Sequence, residues 1–147
     1  MKIRLIVVGK NKQKQIQDLI EQYTKQMNNF SIIEINDGKN KEDMKQEGKQ
    51  ILEKISADEY VIALAIKGIE FDSEEFANNL EKIANYESSK ITFIIGGSYG
   101  LSEEVYQRAN QKISFSKMTF PHLLIRLFLV EQIYRAIMIL KKHPYHK

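Results

Sequence analysis

The chain has no cysteine among its 147 residues. That excludes disulfides, thiolate metal sites and cysteine nucleophiles, and it fits a reducing compartment. No metal site is expected. No stretch approaches the roughly 18 uncharged residues that a membrane span needs, so no membrane partner is expected either. The apolar run within Met1-Lys2-Ile3-Arg4-Leu5-Ile6-Val7-Val8-Gly9 is too short for a signal peptide. Together these absences predict a cytoplasmic protein. Internal repeats, linkers and low-complexity tracts are also missing.

Acid is scarce in one region. Residues 105–147 hold eight Lys/Arg and a single acid, Glu131, whereas residues 1–104 hold 14 basic against 18 acidic side chains. A solvated basic helix end is the ordinary explanation for such a cluster. Here the excess coincides with a glycine turn and a polar tail, which favours a polyanionic substrate.

What is present describes one domain, residues 1–147, large enough for a true core. Apolar residues make up 43% and charged residues 28%, ordinary globular values. Ile3 to Val8 reads as a buried strand. Lys14 to Met27 has helical spacing at Ile16, Leu19, Ile20, Tyr23 and Met27. Ile32 to Ile35 reads as a strand, Asp37-Gly38-Lys39-Asn40 as a turn, and Lys41 to Ile55 as a helix. Tyr60 to Ile66 is a continuous apolar strand turned by Lys67-Gly68. Asp72 and Glu75 form a capping box opening a helix through Ala84. Ile91 to Ile95 is the next strand, and Ser102 caps a helix with Glu103 and Glu104 in its first turn. A short strand at Ile113 to Phe115 and about 20 residues of helix complete the pattern. Such alternation predicts an α/β fold with a mostly parallel sheet.

The final helix is unusual. From Leu123 to Leu140 only Arg126, Glu131, Gln132 and Arg135 are clearly polar. A surface helix buries one stripe, so this one needs a second partner, and a homodimer built on it is expected.

Two segments stand out as sites. Gly96-Gly97-Ser98-Tyr99-Gly100 follows a strand, where α/β proteins bind ligands, and its paired glycines let backbone approach a ligand closely. It matches the G-x-S-x-G elbow of serine hydrolases through Ser98. Against that reading, the capped helix starts only at Ser102, the strands are too few, and the one nearby acid is Glu131. The second segment, Phe115-Ser116-Lys117-Met118-Thr119-Phe120-Pro121-His122, alternates aromatic, hydroxyl and basic groups before Pro121 leads into the helix. His122, Thr119 and Ser116 also have plain readings, as a helix start and as turn formers. Glu131 and Arg135 stand four apart, the spacing of an ion pair. Lys141, Lys142, His143 and Pro144 suit a helix end. Tyr145 and His146 have no such explanation, and their chemistry counts only where the tail docks.

The strings Ile95-Gly96-Gly97…Gly100-Leu101, Phe115 to His122, Arg126…Glu131-Gln132…Tyr134-Arg135-Ala136 and Tyr145-His146-Lys147 resemble the bacterial ribosomal RNA large subunit methyltransferase H family. These are pseudouridine N3-methyltransferases of the knotted SPOUT superfamily. The likeness extends to Val7-Val8-Gly9-Lys10 and Glu47-Gly48…Ile51-Leu52, and so covers the whole chain.

The resemblance implies an α/β domain with a C-terminal trefoil knot, a feature that general chain-threading rules would have rejected. It implies a homodimer binding S-adenosylmethionine through Leu64, Gly96 and Phe115, Ser116, Lys117, Met118, Thr119 and Phe120. The substrate would be a pseudouridine in a stem-loop of 23S rRNA within the assembled ribosome, met by His122, Arg126, Tyr145 and Lys147. For catalysis, His146 is the expected base and Tyr145 a stacking partner. Arg126 or Arg135 would stabilise the developing anion, with Glu131 orienting Arg135. The tail is expected to order on RNA, over the partner's cofactor. Relatives often carry an acid after the leucine matching Leu64, where this chain has Ala65. The non-enzymatic alternative is a ribosome- or RNA-binding module with no cofactor affinity.

Overall fold

A computed structural model describes all 147 residues. Five strands form one sheet in the order β2-β1-β4-β3-β5. They are β1 (Lys2–Val8), β2 (Phe30–Ile35), β3 (Tyr60–Ile69), β4 (Lys90–Ile95) and β5 (Gln111–Ile113). Every neighbouring pair is parallel, so all five carboxyl ends share one edge.

Helices cover both faces, which is why the strands are apolar throughout rather than alternating. On one face α1 (Lys14–Thr24), α3 (Ser73–Tyr86) and α5 (His122–Leu140) bury Leu5, Ile62, Phe93 and their neighbours. On the other, α2 (Met44–Glu53) and α4 (Glu103–Arg108) close over Ile6, Val61 and Ile94. The helix starts are as the sequence indicates. Asp72 and Glu75 form their capping box, and Ser102 accepts the Val105 N–H. Helix α5 lies between α1 and α3, which accounts within one chain for much of its apolar circumference.

Several boundaries differ from expectation; β2 begins earlier, at Phe30, and α3 runs on to Tyr86. Helix α1 ends at Thr24, although Met27 beyond it is still buried. The second helix begins as a single 3-10 turn at Lys41–Asp43, boxed by Asn40 and Asp43, and ends at Glu53. Strand β5 stops at Ile113, leaving Ser114 and Phe115 to the following loop. Strand β3 does not turn at Lys67-Gly68. It continues to Ile69, with a register break that lets Ile113 pair with both Leu64 and Ile69. Gly68 is needed there for space: a Cβ would lie 2.7–2.9 Å from the backbone of Ile113.

Candidate active site

The loops after β3, β4 and β5 meet at the carboxyl edge and enclose a cleft of about 680 Å³. That volume suits a ligand of nucleoside size or somewhat larger. One wall is the glycine turn, held by the Gly100 N–H donating to the Gly97 carbonyl at 3.0 Å. Gly96 and Gly100 pack backbone to backbone, and Gly100 has φ +85°, a conformation that favours glycine.

The facing wall is the loop from Ser114 to Pro121, braced by its own hydroxyls. Ser114 Oγ donates to the Ser116 carbonyl at 2.9 Å, and Ser116 Oγ accepts the Met118 N–H at 3.0 Å. The amides of Phe115, Lys117, Thr119 and Phe120 donate to no acceptor in the chain. Pro121 leads into α5, whose His122 and Ile125 also line the cleft.

The lining has a clear chemical bias. Leu64, Ile95, Phe115 and Phe120 make it apolar, and Lys67 and Lys112 are its only charged residues. Lys112 sits over the Tyr106 ring at 5.0 Å, a cation–π contact that steadies it. No carboxylate lines the cleft. Flat apolar walls, free amides for ring edges and ammonium groups for an anion suit a nucleoside-like ligand. Exposed apolar side chains, Met118 at 72% and Tyr99 at 56%, stand at its mouth.

Leu64, Gly96, Phe115, Ser116, Met118, Thr119, Phe120 and His122 therefore share one cavity, while Lys117, beside them in sequence, is not among its lining. Ala65 lies in the lining, so the chain offers no carboxylate to the cleft at the position after Leu64. Lys67, Lys112 and Tyr106 were not anticipated. For the two lysines the only sequence signal was a basic residue beside an expected strand end; Tyr106, within α4, carried none.

Glu131, Arg135, Tyr145 and His146 gather elsewhere, on the outer side of α5 and the tail. Glu131 Oε1 accepts from Arg135 Nε (3.0 Å), Arg135 Nη2 (2.7 Å) and the Tyr145 hydroxyl (2.9 Å). The Arg135 guanidinium lies 4.8 Å from the Tyr145 ring centre, and that ring meets Tyr134 edge-on. The hydrogen bond to Glu131 raises the Arg135 pKa further above its ordinary value. Burial, and then the bond to Glu131, push the Tyr145 phenol well up, so it remains a donor. His146 Nδ1 lies 3.1 Å from Arg135 Nη1. A guanidinium only donates, so Nδ1 accepts and a neutral ring carries its proton on Nε2, which is 3.7 Å from Glu74. The tail is docked, but against its own chain and not over its own cleft. Lys147 beyond it is exposed.

Arg126 does not reach the cleft. It is 2% exposed and donates to the Gly9 carbonyl and to Glu34, each at 2.9 Å. Desolvation lowers its pKa and the Glu34 charge opposes that. Its placement is a correction to the expected contact with substrate: the side chain ties α5 to the end of β1. Ser98 also departs from the hydrolase reading. It is exposed and hydrogen-bonds to no histidine, and α4 begins only at Glu103.

A family model described as predicted SPOUT methyltransferase matches residues 1–146. The ribosomal RNA large subunit methyltransferase H of Acholeplasma laidlawii is 52% identical over 147 residues, covering 100% of both chains. The proteins of that name from Bacillus pumilus and Streptococcus thermophilus are each 50% identical over 159 residues, again covering 100% of both chains. A solved structure of a probable methylase family protein from Haemophilus influenzae Rd KW20 matches with a TM-score of 0.58. It is 13% identical, covering 99% of this chain and 70% of that one, a likeness of fold alone.

Proposed function

The chain belongs to the SPOUT methyltransferase family, and from that premise we propose that it uses S-adenosylmethionine to methylate N3 of a pseudouridine in a stem-loop of 23S rRNA. It is a methyltransferase. The observation that carries the acceptor and cofactor reading is the coincidence of two things. One is full-length identity of about half with ribosomal RNA methyltransferases. The other is a cleft whose lining includes Leu64, Gly96 and most of Phe115 to Phe120.

The residues present fit the cofactor. Phe115, Phe120 and Leu64 would offer apolar surface to an adenine, the free amides after Phe115 would serve its polar edges, and Lys67 and Lys112 would suit its carboxylate. When bound, S-adenosylmethionine supplies an electrophilic methyl group on a sulfonium. This chain's task is to hold the acceptor nitrogen in line with it, chiefly a matter of proximity and orientation.

An imide nitrogen attacks only after losing its proton, and the cleft of one chain has no carboxylate to take it. His146 takes the proton, Arg135 stabilises the imide anion, Glu131 orients Arg135, and Tyr145 stacks on a base or its neighbour. In the docked tail Arg135 occupies His146 Nδ1, so the tail must shift for the imidazole to act. A second copy, packed on the outer side of α5, lays its tail cluster over this cleft. Phe128, 42% exposed on that side, supports such packing. The trefoil knot belongs to the same reading, supported by membership of the SPOUT methyltransferase family. The whole activity is assigned to one domain of residues 1–147 in the cytoplasm.

The test is transfer of labelled methyl from S-adenosylmethionine to ribosomes lacking this modification, with the product nucleoside identified. Methylpseudouridine in large-subunit rRNA is expected. A different nucleoside overturns the acceptor. No transfer together with no cofactor binding returns the protein to the RNA-binding alternative. For the shared site, Gly96→Ala chains mixed with His146→Ala chains, assayed at cofactor well below the Kd of the Gly96→Ala protein, should exceed the activity of either alone; no gain removes the partner's tail from the mechanism.

A further inference from the structure

The loop between β1 and α1 lies outside the cleft and has no part in the chemistry above. We propose that its lysines, Lys10, Lys12 and Lys14, grip the phosphate backbone of the RNA beside the target nucleotide. The proposal rests on the RNA acceptor reading and deepens it.

The location follows from the sheet. Strand β1 neighbours β4, so the loop after β1 stands next to the glycine turn that walls the cleft. The approach is close: a Cβ on Gly97 would meet Val8 Cγ1 at 3.2 Å. A nucleic-acid strand with one nucleotide in the cleft passes over this edge.

The charge there is free to act. All three lysines are exposed, and Lys10 and Lys12 take part in no ion pair. Lys14 meets only Asp18, at 3.3 Å across open surface, a contact of little energy. Two carboxylates lie beside the loop: Glu34 is neutralised by Arg126, while Asp37, packed against Gly9 and Gly97, is in no ion pair and leaves the three lysines in excess of it. No acid occupies the first turn of α1 and no side chain caps it. Cations at a helix start oppose its dipole, so Lys12 and Lys14 are mildly unfavourable for folding. A polyanion laid across the loop reverses that sign.

The loop is also held in place, which gives buried Arg126 a purpose. Arg126 bonds the Gly9 carbonyl and Glu34, and Glu34 Oε2 accepts the Asn11 N–H at 2.9 Å. Asn11 Oδ1 in turn accepts the Gln13 N–H at 3.0 Å. Arg126 stands one turn after His122, so this chain of bonds fixes the lysine loop to the helix start that closes the cleft. Arg126 is thus a positioning residue for RNA that it does not touch.

The test replaces Lys10, Lys12 and Lys14 together by Gln. Its control of equal charge replaces Lys2, Lys25 and Lys54, at the opposite edge, by Gln. Ribosome methylation is followed at several salt concentrations, with cofactor affinity measured separately. For the loop variant, KM for ribosomes should rise at least tenfold, with kcat and cofactor affinity within twofold. The slope of log KM against log salt should fall by roughly two to three, at about 0.7–0.9 for each phosphate no longer neutralised. The control should change KM less than threefold and keep the wild-type slope. A loop variant matching its control in KM and slope overturns the grip while leaving the function intact. Wild-type protein that methylates no ribosome overturns the acceptor reading, and this proposal with it.

Discussion

Gly96→Ala is the sharpest test of the cleft. The new Cβ would stand 2.6 Å from the Gly100 carbonyl carbon, 2.7 Å from its oxygen and 3.1 Å from its Cα. All three are backbone atoms, so no side-chain rotation relieves the clash. Ordinary contact begins at 3.4 Å, and something must retreat by about 0.8 Å. Strand β4 is bonded on both sides, to β1 and to β3, and Ile94 and Ile95 are buried. The turn from Gly97 to Gly100 is exposed at Ser98 and Tyr99, so the turn yields. Overpacking of this kind costs about 1–3 kcal/mol.

Because the displaced turn is a wall of the cleft, restoring its shape for the ligand costs a similar amount. At about 1.4 kcal/mol per factor of ten, the Kd for S-adenosylmethionine should rise roughly ten- to a hundredfold. Tm should fall by only a few degrees, since the unbound turn relaxes outward. Titration calorimetry and thermal melting read the two quantities independently. Gly100→Ala is the companion: no atom lies within 4 Å, but φ is +85°, so conformation rather than space is strained. Its affinity should move in the same direction. Unchanged cofactor affinity in Gly96→Ala at wild-type stability would refute the glycine turn as a wall of the binding site.

Three further outcomes are expected. Replacing Tyr145 and His146 by Ala should leave cofactor affinity within twofold and lower kcat by about a hundredfold or more, the usual loss for a general base; lost binding with unchanged turnover at saturation contradicts the assignment. Arg126→Ala should cost about 2–4 kcal/mol in chemical denaturation, since the Gly9 carbonyl and Glu34 lose their donor; a loss below about 1 kcal/mol refutes the buried tie. Two carboxylates should respond oppositely to pH. Burial opposes ionisation of Glu59, but hydrogen bonds from Thr92, Ser56 and Arg4 prevail and lower its pKa. Its contribution is present above about pH 4.3 and lost as pH falls through the lower folded value, so the deficit of Glu59→Gln should shrink in acid. Burial raises the pKa of Glu47, with Asp37 adding to the effect. Its folded form holds the proton more tightly, so Glu47→Gln should gain on wild type as pH rises through that window. Parallel stability curves for wild type and both variants would overturn both readings.

What was legible in the sequence was local. The Asp72–Glu75 box, the Ser102 cap and the Glu131–Arg135 pair each depend on residues three or four apart, and each is present. Apolar runs named the strands because a sheet covered on both faces needs no alternation. Gly68 was misread as a turn because a glycine allowing close approach and a glycine bending the chain look alike in one dimension. Arg126 was misread because its partners, Gly9 and Glu34, are 117 and 92 positions away. The cleft lysines, Lys67 and Lys112, become neighbours only once β3 and β5 pair. The lysines after β1 were hidden by averaging charge over the acidic first two-thirds of the chain.

The separation of the cleft from the Glu131 cluster has an electrostatic logic. A carboxylate in the cleft would compensate Lys67 and Lys112 and repel incoming phosphates. Without one, the site attracts the polyanion but has little means of removing an imide proton. The cluster on α5 is complementary. Glu131 accepts four hydrogen bonds, three at Oε1 from Arg135 and Tyr145 and one at Oε2 from Gln132, so its charge is spent within the cluster and not presented outward. What a second copy would carry to the acceptor is then a guanidinium, a phenol that keeps its proton, and an imidazole. There the guanidinium would lower the free energy of the imide anion, and the imidazole would have less proton affinity to overcome. The fold of one chain keeps the two halves on different surfaces, so under the proposed mechanism a second copy would complete the site.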